Sequence, residues 1–149
     1  MVRDLFATLT GRAENASSLL DAAEWFPGVD RPRVVYRLYA TLYFCMVIDG
    51  SESELGILDL IQVLVETLDR HFKNVCELDI IFNCEKVHWV IDEMIVGGLV
   101  VETSPSAILE VIEAQAKLMH GQTELGAAAA TAARQIDSVM KGLPPRPNF

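Results

Sequence analysis

Only three cysteines occur in the 149 residues, Cys45, Cys76 and Cys84, and no two stand in a C-x-x-C spacing. An odd, scattered set of this kind argues against a disulfide framework, a dithiol redox motif and a zinc site. Each thiol lies in an apolar stretch and is expected to be a buried free cysteine. No G-x-G-x-x-G, G-x-x-x-x-G-K-[ST] or G-x-S-x-G is present, so nucleotide cradles and hydrolase elbows have no support. The longest apolar run is about half of what a bilayer crossing requires, which predicts no membrane span. "MVRDLFATLTGRAEN" is amphipathic with an early Asp4, unlike a signal peptide, and a cytoplasmic chain is expected. Basic residues are scarce as well. Twelve Lys and Arg against 21 Asp and Glu leave a net charge of −9 and a pI near 4.7. Nucleic acid is repelled on average, as is an anionic membrane surface, and no Lys/Arg cluster offsets this.

The groups that carry most enzyme chemistry are equally thin. His71, His88 and His120 are isolated, with no H-E-x-x-H or paired ligand spacing, and base catalysis needs an orienting partner. Asp92 and Glu93 are adjacent on a predicted helix and so point in different directions. No metal, cofactor or enzymatic activity is expected. "SESE" at 51–54 reads better as a helix start, with acids near the positive end, than as a phosphorylation site.

What is present is apolar residue, 51% of the chain, enough for one domain with a real core. Val2, Leu5, Phe6 and Leu9 repeat at helical spacing and predict a short helix over about 2–11, closed by Gly11. One short strand fits around Leu19–Phe26, before Pro27, Gly28 and Pro32 mark a turn. "YATLYFCMVID" at 39–49 has ten uncharged positions and reads as strand buried on both faces. With "RVVYRLYA" before it, this predicts two antiparallel strands joined near Tyr39–Thr41. From "DGSESELGILDLIQVLVETLDRHF" the period changes from 2 to 3.6, with Ser51 or Ser53 as N-cap. Asp59, Gln62, Glu66, Asp69 and Lys73 form one narrow wet stripe on that helix. Leu58, Ile61, Val65, Leu68 and Phe72 fill one apolar flank, and Leu60, Val63 and Thr67 another. One sheet covers one flank, so the second predicts a partner protein. Helices follow at about 75–82, 85–96 and 105–120, broken at Gly97–Gly98 and at "TSPS". From Gly121, "GAAAATAA" and "GLPPRPNF" predict a low-complexity, weakly helical or disordered tail over 121–149.

These segments resemble the clathrin-adaptor small chains. "VVYRLYATLYF" (34–44) fits that family's signature of two aliphatics, Tyr, a basic residue, four residues, then Leu-Tyr-Phe. "NVCELDIIFN" (74–83) and "DEMIVGG" (92–98) match further blocks in the same order. "SESELGILDLIQVLVETLD" (51–69) is similar to the sigma-subunit branch belonging to the third adaptor-protein complex. The resemblance covers roughly residues 2–120, the expected domain. It implies an α+β, longin-like fold, a five-stranded antiparallel sheet with helices on both faces. Compared with family members this chain begins at the first helix. The expected fold is therefore truncated by two N-terminal strands, leaving strand 42–48 as an open, uncharged edge. A truncated product or incomplete gene reading is the expectation. The region 24–33 also departs from the family, predicting a shortened third strand.

The resemblance further implies a heterotetramer. This chain would pack on a delta-type large subunit, and through it meet beta-type and medium (mu) subunits. Such a complex associates peripherally with Golgi and endosomal vesicle membranes and sorts cargo to lysosomes or vacuoles. Small chains of the family help bind acidic dileucine signals in cargo tails. The matching pocket positions are Ala40, Leu42, Val65, Val75 and Ile80, with Asn74 at the rim. The basic residue that would meet the signal's acidic position belongs to the absent hairpin. Leu60, Val63 and Thr67 are the expected partner-facing residues. Two rivals remain: a free-standing longin regulator of membrane fusion, which would need a coiled-coil heptad run or lipid-attachment cysteine near the C-terminus, and an enzyme using Cys76 or His88, which would need a low-pKa thiol.

Overall fold

The structure, a computed structural model, describes residues 1–13 and 16–119. The predicted tail over 121–149 and His120 lie outside the described residues. The chain divides into a unit Met1–Leu109 and a second unit from Glu110 onward. The first unit carries α1 (Val2–Thr10), β1 (Leu19–Asp21), β2 (Arg33–Tyr39), β3 (Leu42–Ile48), α2 (Glu54–Phe72), α3 (Glu77–Phe82), α4 (Cys84–Met94), β4 (Ile95–Val96) and β5 (Leu99–Val100). A further helix runs over 105–119.

The strands β1, β2 and β3 form one antiparallel sheet in that order, so among the described residues β3 lies at an edge. The turn between β2 and β3 is two residues, Ala40 and Thr41, with Ala40 in the left-handed region at φ 52°. Two-residue turns match the right-handed twist of their strands only with such a residue. The register pairs Val35 with Met46 and Arg37 with Phe44 on one face, Tyr36 with Cys45 and Leu38 with Tyr43 on the other. On the first face Arg37 donates to Gln62 of α2 at 3.2 Å, and Arg33 pairs with Glu54 at the start of that helix. On the second face Phe6 of α1 meets Tyr43 edge-on at 6.2 Å. Helices thus cover both faces. Val34 and Val35, on opposite faces, are each fully buried.

The run 39–48 is not buried on both faces, contrary to the sequence expectation. Ala40 and Thr41 are exposed in the turn, and Cys45 and Val47 are exposed on β3. The α1 helix reaches Tyr43 at one end of that face, and an edge strand has a neighbour on one side only. The expected strand around 19–26 stops at Asp21, three residues long. There the Asp21 carboxylate accepts the Ala23 N–H at 2.9 Å, and the N–H groups of Trp25 and Phe26 turn back to the Ala22 carbonyl. An Asx turn of this kind offers the backbone an alternative to the ladder.

The α2 helix begins where the spacing predicted. Ser53 is its N-cap, and the Ser53 hydroxyl accepts the Gly56 N–H at 3.4 Å. Ser53→Ala is expected to cost about 1 kcal/mol, read as a lowered urea midpoint at unchanged slope. Ile57, Leu60, Ile61, Leu64, Thr67 and Leu68 form its buried stripe. Asp59, Gln62, Glu66 and Asp69 are exposed on the opposite side. Gly97 and Gly98 do more than break a helix. Both have positive φ, 59° and 84°, and they close a two-stranded ribbon pairing Ile95 with Val100 and Val96 with Leu99.

Candidate functional site

The β2–β3 turn, the C-terminal half of α2 and the start of α3 converge at one end of the sheet. The Thr41 hydroxyl bonds the Glu77 carboxylate, tying the turn to α3. Asp69 on α2 accepts the Val75 N–H at 3.1 Å through its carboxylate and the Asn74 N–H at 3.2 Å through its carbonyl. Lys73 and Asn74, at φ 56° and 75°, take the left-handed conformation that ends α2 and turns the chain toward α3.

Five of the six residues expected to line a dileucine pocket lie on the elements that meet here, the turn, the start of β3, α2 and the connection to α3. Ala40 is exposed in the turn, Leu42 half-buried at the start of β3, and Val65 half-buried one helical turn before Asp69. Asn74 is exposed and Val75 half-buried beside the Asp69 carboxylate. Ile80 of α3 is half-buried and lines a cleft of about 240 Å³ with Phe44 and Met46 of β3, Leu64 and Leu68 of α2, and Val87 and Ile91 of α4. No charged side chain lines this cleft among the described residues. An apolar slot of this composition accepts aliphatic side chains. Phe44, Val87 and Ile91 are absent from the sequence expectation, because the walls α3 and α4 contribute could not be placed against β3 by periodicity alone.

Of the three residues expected to face a partner, Leu60 is 4% exposed and Thr67 fully buried within the chain. The Thr67 hydroxyl bonds the Val63 carbonyl at 2.7 Å, one turn back on its own helix. Val63 is half-buried. The stripe that packs inward therefore runs through Leu60 and Thr67, rotated from the flank that spacing had assigned to the sheet.

All three cysteines are exposed, which corrects the expectation of buried thiols. Cys45 sits on the less covered face of the edge strand, and Cys76 and Cys84 sit at the starts of α3 and α4. Burial of its surroundings still pushes the Cys45 thiol upward, away from the thiolate. Cys76 caps α3, donating its N–H to the Asp79 carboxylate at 3.0 Å. That bond and the Cys76 side chain hold Asp79 below its usual value of 3.8. A carboxyl depressed on folding stabilises the fold above its unfolded pKa, and this is lost as pH falls through the folded value. Asp79→Ala is expected to lower the urea midpoint at neutral pH and to flatten the acid limb, the variant and the parent converging as pH falls through the folded value of Asp79. His88 places Nδ1 2.7 Å from the Cys84 carbonyl of its own helix, and His71 packs edge-on against Phe72.

A three-stranded antiparallel sheet between helices defines a domain of α+β type. The family described as Clathrin adaptor complex small chain matches residues 1–119, and the chain belongs to it. The AP-3 complex subunit sigma of Arabidopsis thaliana is 53% identical over 118 residues, covering 79% of this chain and 70% of the relative. Human AP-3 complex subunit sigma-2 is 46% identical over 139 residues, 93% of this chain and 72% of the relative. The AP-3 complex subunit sigma of Dictyostelium discoideum is 45% identical over 126 residues, covering 84% of this chain and 74% of the relative. A chain of a homology model of the full-length AP-3 complex in a stretched open conformation is 43% identical, with a TM-score of 0.49. That match takes in 62% of this chain and 55% of the other.

Proposed function

We propose that this chain acts as the sigma-type small subunit of an AP-3-like adaptor complex. The observation that carries this reading is the 53% identity to a named AP-3 sigma subunit over 118 residues. In this role a delta-type large subunit holds the chain, and beta-type and medium subunits complete the complex. The assembly sits peripherally on Golgi and endosomal vesicle membranes and sorts cargo toward lysosomes or vacuoles. Among the described residues no helix is long and apolar enough to cross a membrane, consistent with attachment through the complex. A free-standing longin regulator is not favoured, since the relatives found are adaptor subunits.

The junction of Ala40, Leu42, Val65, Asn74, Val75 and Ile80 is then the contribution to dileucine-signal binding. Each leucine buried in an apolar slot is worth about 1.5–3 kcal/mol, so blocking one slot costs on the order of tenfold or more in affinity. The test is co-expression with the three other subunits, purification through the large chain and titration with an acidic dileucine peptide. Stoichiometric recovery of this chain is expected, with peptide affinity weakened about tenfold or more by Ile80→Asp and untouched by Leu55→Ala. Failure to co-purify sinks the assembly role. Equal affinity in Ile80→Asp sinks the pocket.

A further inference from the structure

The Thr41 hydroxyl in the β2–β3 turn donates to the Glu77 carboxylate at the start of α3. An acid in a first helical turn is ordinarily explained by the positive end of its own helix. In α3 that place is taken by Asp79, which accepts the Cys76 N–H at 3.0 Å as the capping partner. Asp69, the other carboxylate at this end of α2, accepts the Val75 N–H at 3.1 Å. Glu77 instead reaches away from α3, to a hydroxyl between Ala40 and Leu42, and its own place in the chain is between Val75 and Ile80. The Thr41 hydroxyl, and then the backbone N–H of Glu77, hold that carboxyl below its usual range, so it is ionised at neutral pH. Among the described residues no Lys or Arg is ion-paired with Asp69, Glu77 or Asp79.

We infer that Glu77, aimed by Thr41, is the charge-selecting residue of the dileucine junction, disfavouring an acidic and favouring a basic residue beside the two leucines of a bound segment. This rests on the pocket reading above and adds a selectivity to it. The selectivity concerns the residues next to the leucines, not the signal's own acidic position. Like charges brought together at a recognition surface cost affinity, and an unpaired carboxylate gains from an approaching cation. Glu77 is half-buried, so solvent screens it and the effect is a few-fold per charge. Thr41 is a positioning residue. Without its hydroxyl the glutamate keeps its charge and loses its aim.

The experiment uses the assembled four-subunit complex and three fluorescein-labelled peptides. They share two leucines and an upstream acidic residue, and carry lysine, serine or glutamate on both sides of the leucines. By fluorescence anisotropy Kd is expected to rise in the order lysine, serine, glutamate, with about fivefold between the ends. Glu77→Gln keeps the side chain's size and an oxygen for Thr41. It should shrink the spread to less than about twofold while the serine peptide holds its parent affinity. A spread that survives Glu77→Gln overturns the assignment. So does an equal loss of affinity for all three peptides, which marks Glu77 as merely structural. Thr41→Val should give an intermediate spread, and an unchanged one removes Thr41 from the assignment. Raising salt several-fold should narrow the parent's spread, since these charges are screened, and a spread indifferent to salt overturns an electrostatic origin. If the serine peptide binds the parent and no spread appears, only the charge selection falls. If the complex assembles and binds none of the three, the pocket reading falls and takes this assignment with it.

Discussion

Replacing Ile61 by alanine is expected to destabilise the chain by about 2–5 kcal/mol, among the largest costs of any single truncation here. Ile61 is fully buried on the inner stripe of α2, flanked by Leu60 and Leu64 and followed one and two turns later by other buried positions. Removing its methyl and methylene groups forfeits their transfer free energy and leaves a cavity that a helix packed against the sheet and α4 cannot collapse into. For a chain of this size each kcal/mol lowers the melting temperature by about 2–4 °C, so a drop on the order of 10 °C is expected by circular dichroism. Leu55→Ala is the control. Leu55 is 74% exposed on the same helix, and its loss should change stability by no more than about 0.5 kcal/mol. A melting temperature for Ile61→Ala within a degree or two of the parent would show that α2 is not the centre of the core.

The second large effect concerns β3. Its edge carries no Lys, Pro or other charged residue from Leu42 to Ile48, and the described residues include no strand on its outer side. Natural sheets usually blunt such edges, because unpaired N–H and C=O groups template pairing with another chain. The isolated chain is expected to self-associate at physiological salt, where its negative charges are screened. Val47→Lys should raise the concentration at which oligomers appear by about tenfold, equivalent to about 1.4 kcal/mol of lost association energy. Val47 is exposed, so the lysine reaches water without disturbing the core. Sedimentation velocity across a concentration series reads the shift. Cys45→Ser should leave it unchanged, which separates strand pairing from disulfide formation. A parent chain that stays monomeric over the whole series would remove the basis for calling this edge adhesive.

The elements themselves were largely legible. Helix α2 fell at 54–72 because a Ser cap, an acid in the first turn and a 3.6-residue period all agree there. Strands β2 and β3 were legible because aromatic and branched residues cluster on either side of a short turn. The hairpin β4–β5 was missed although its signal was present. Two glycines between Ile95–Val96 and Leu99–Val100 favour a turn that needs positive φ twice, but two-residue strands are too short to show a period. The exposed cysteines were missed for another reason. An apolar neighbourhood in sequence says nothing about which side of an edge strand or which end of a short helix a side chain occupies.

By itself, then, the sequence determined the fold class, the helix and strand positions and, through its motif blocks, the family, because local propensity and periodicity are properties of neighbouring residues. The tertiary structure alone decided which flank of α2 turns inward, placing Leu60 and Thr67 inside while Asp59 stays exposed. It alone tied the turn at Thr41 to Glu77 of α3 and seated Ile80 in a cleft with residues of β3, α2 and α4. Those juxtapositions join segments far apart in the chain. Their geometry follows from how helices seat on a twisted sheet, which no local pattern encodes.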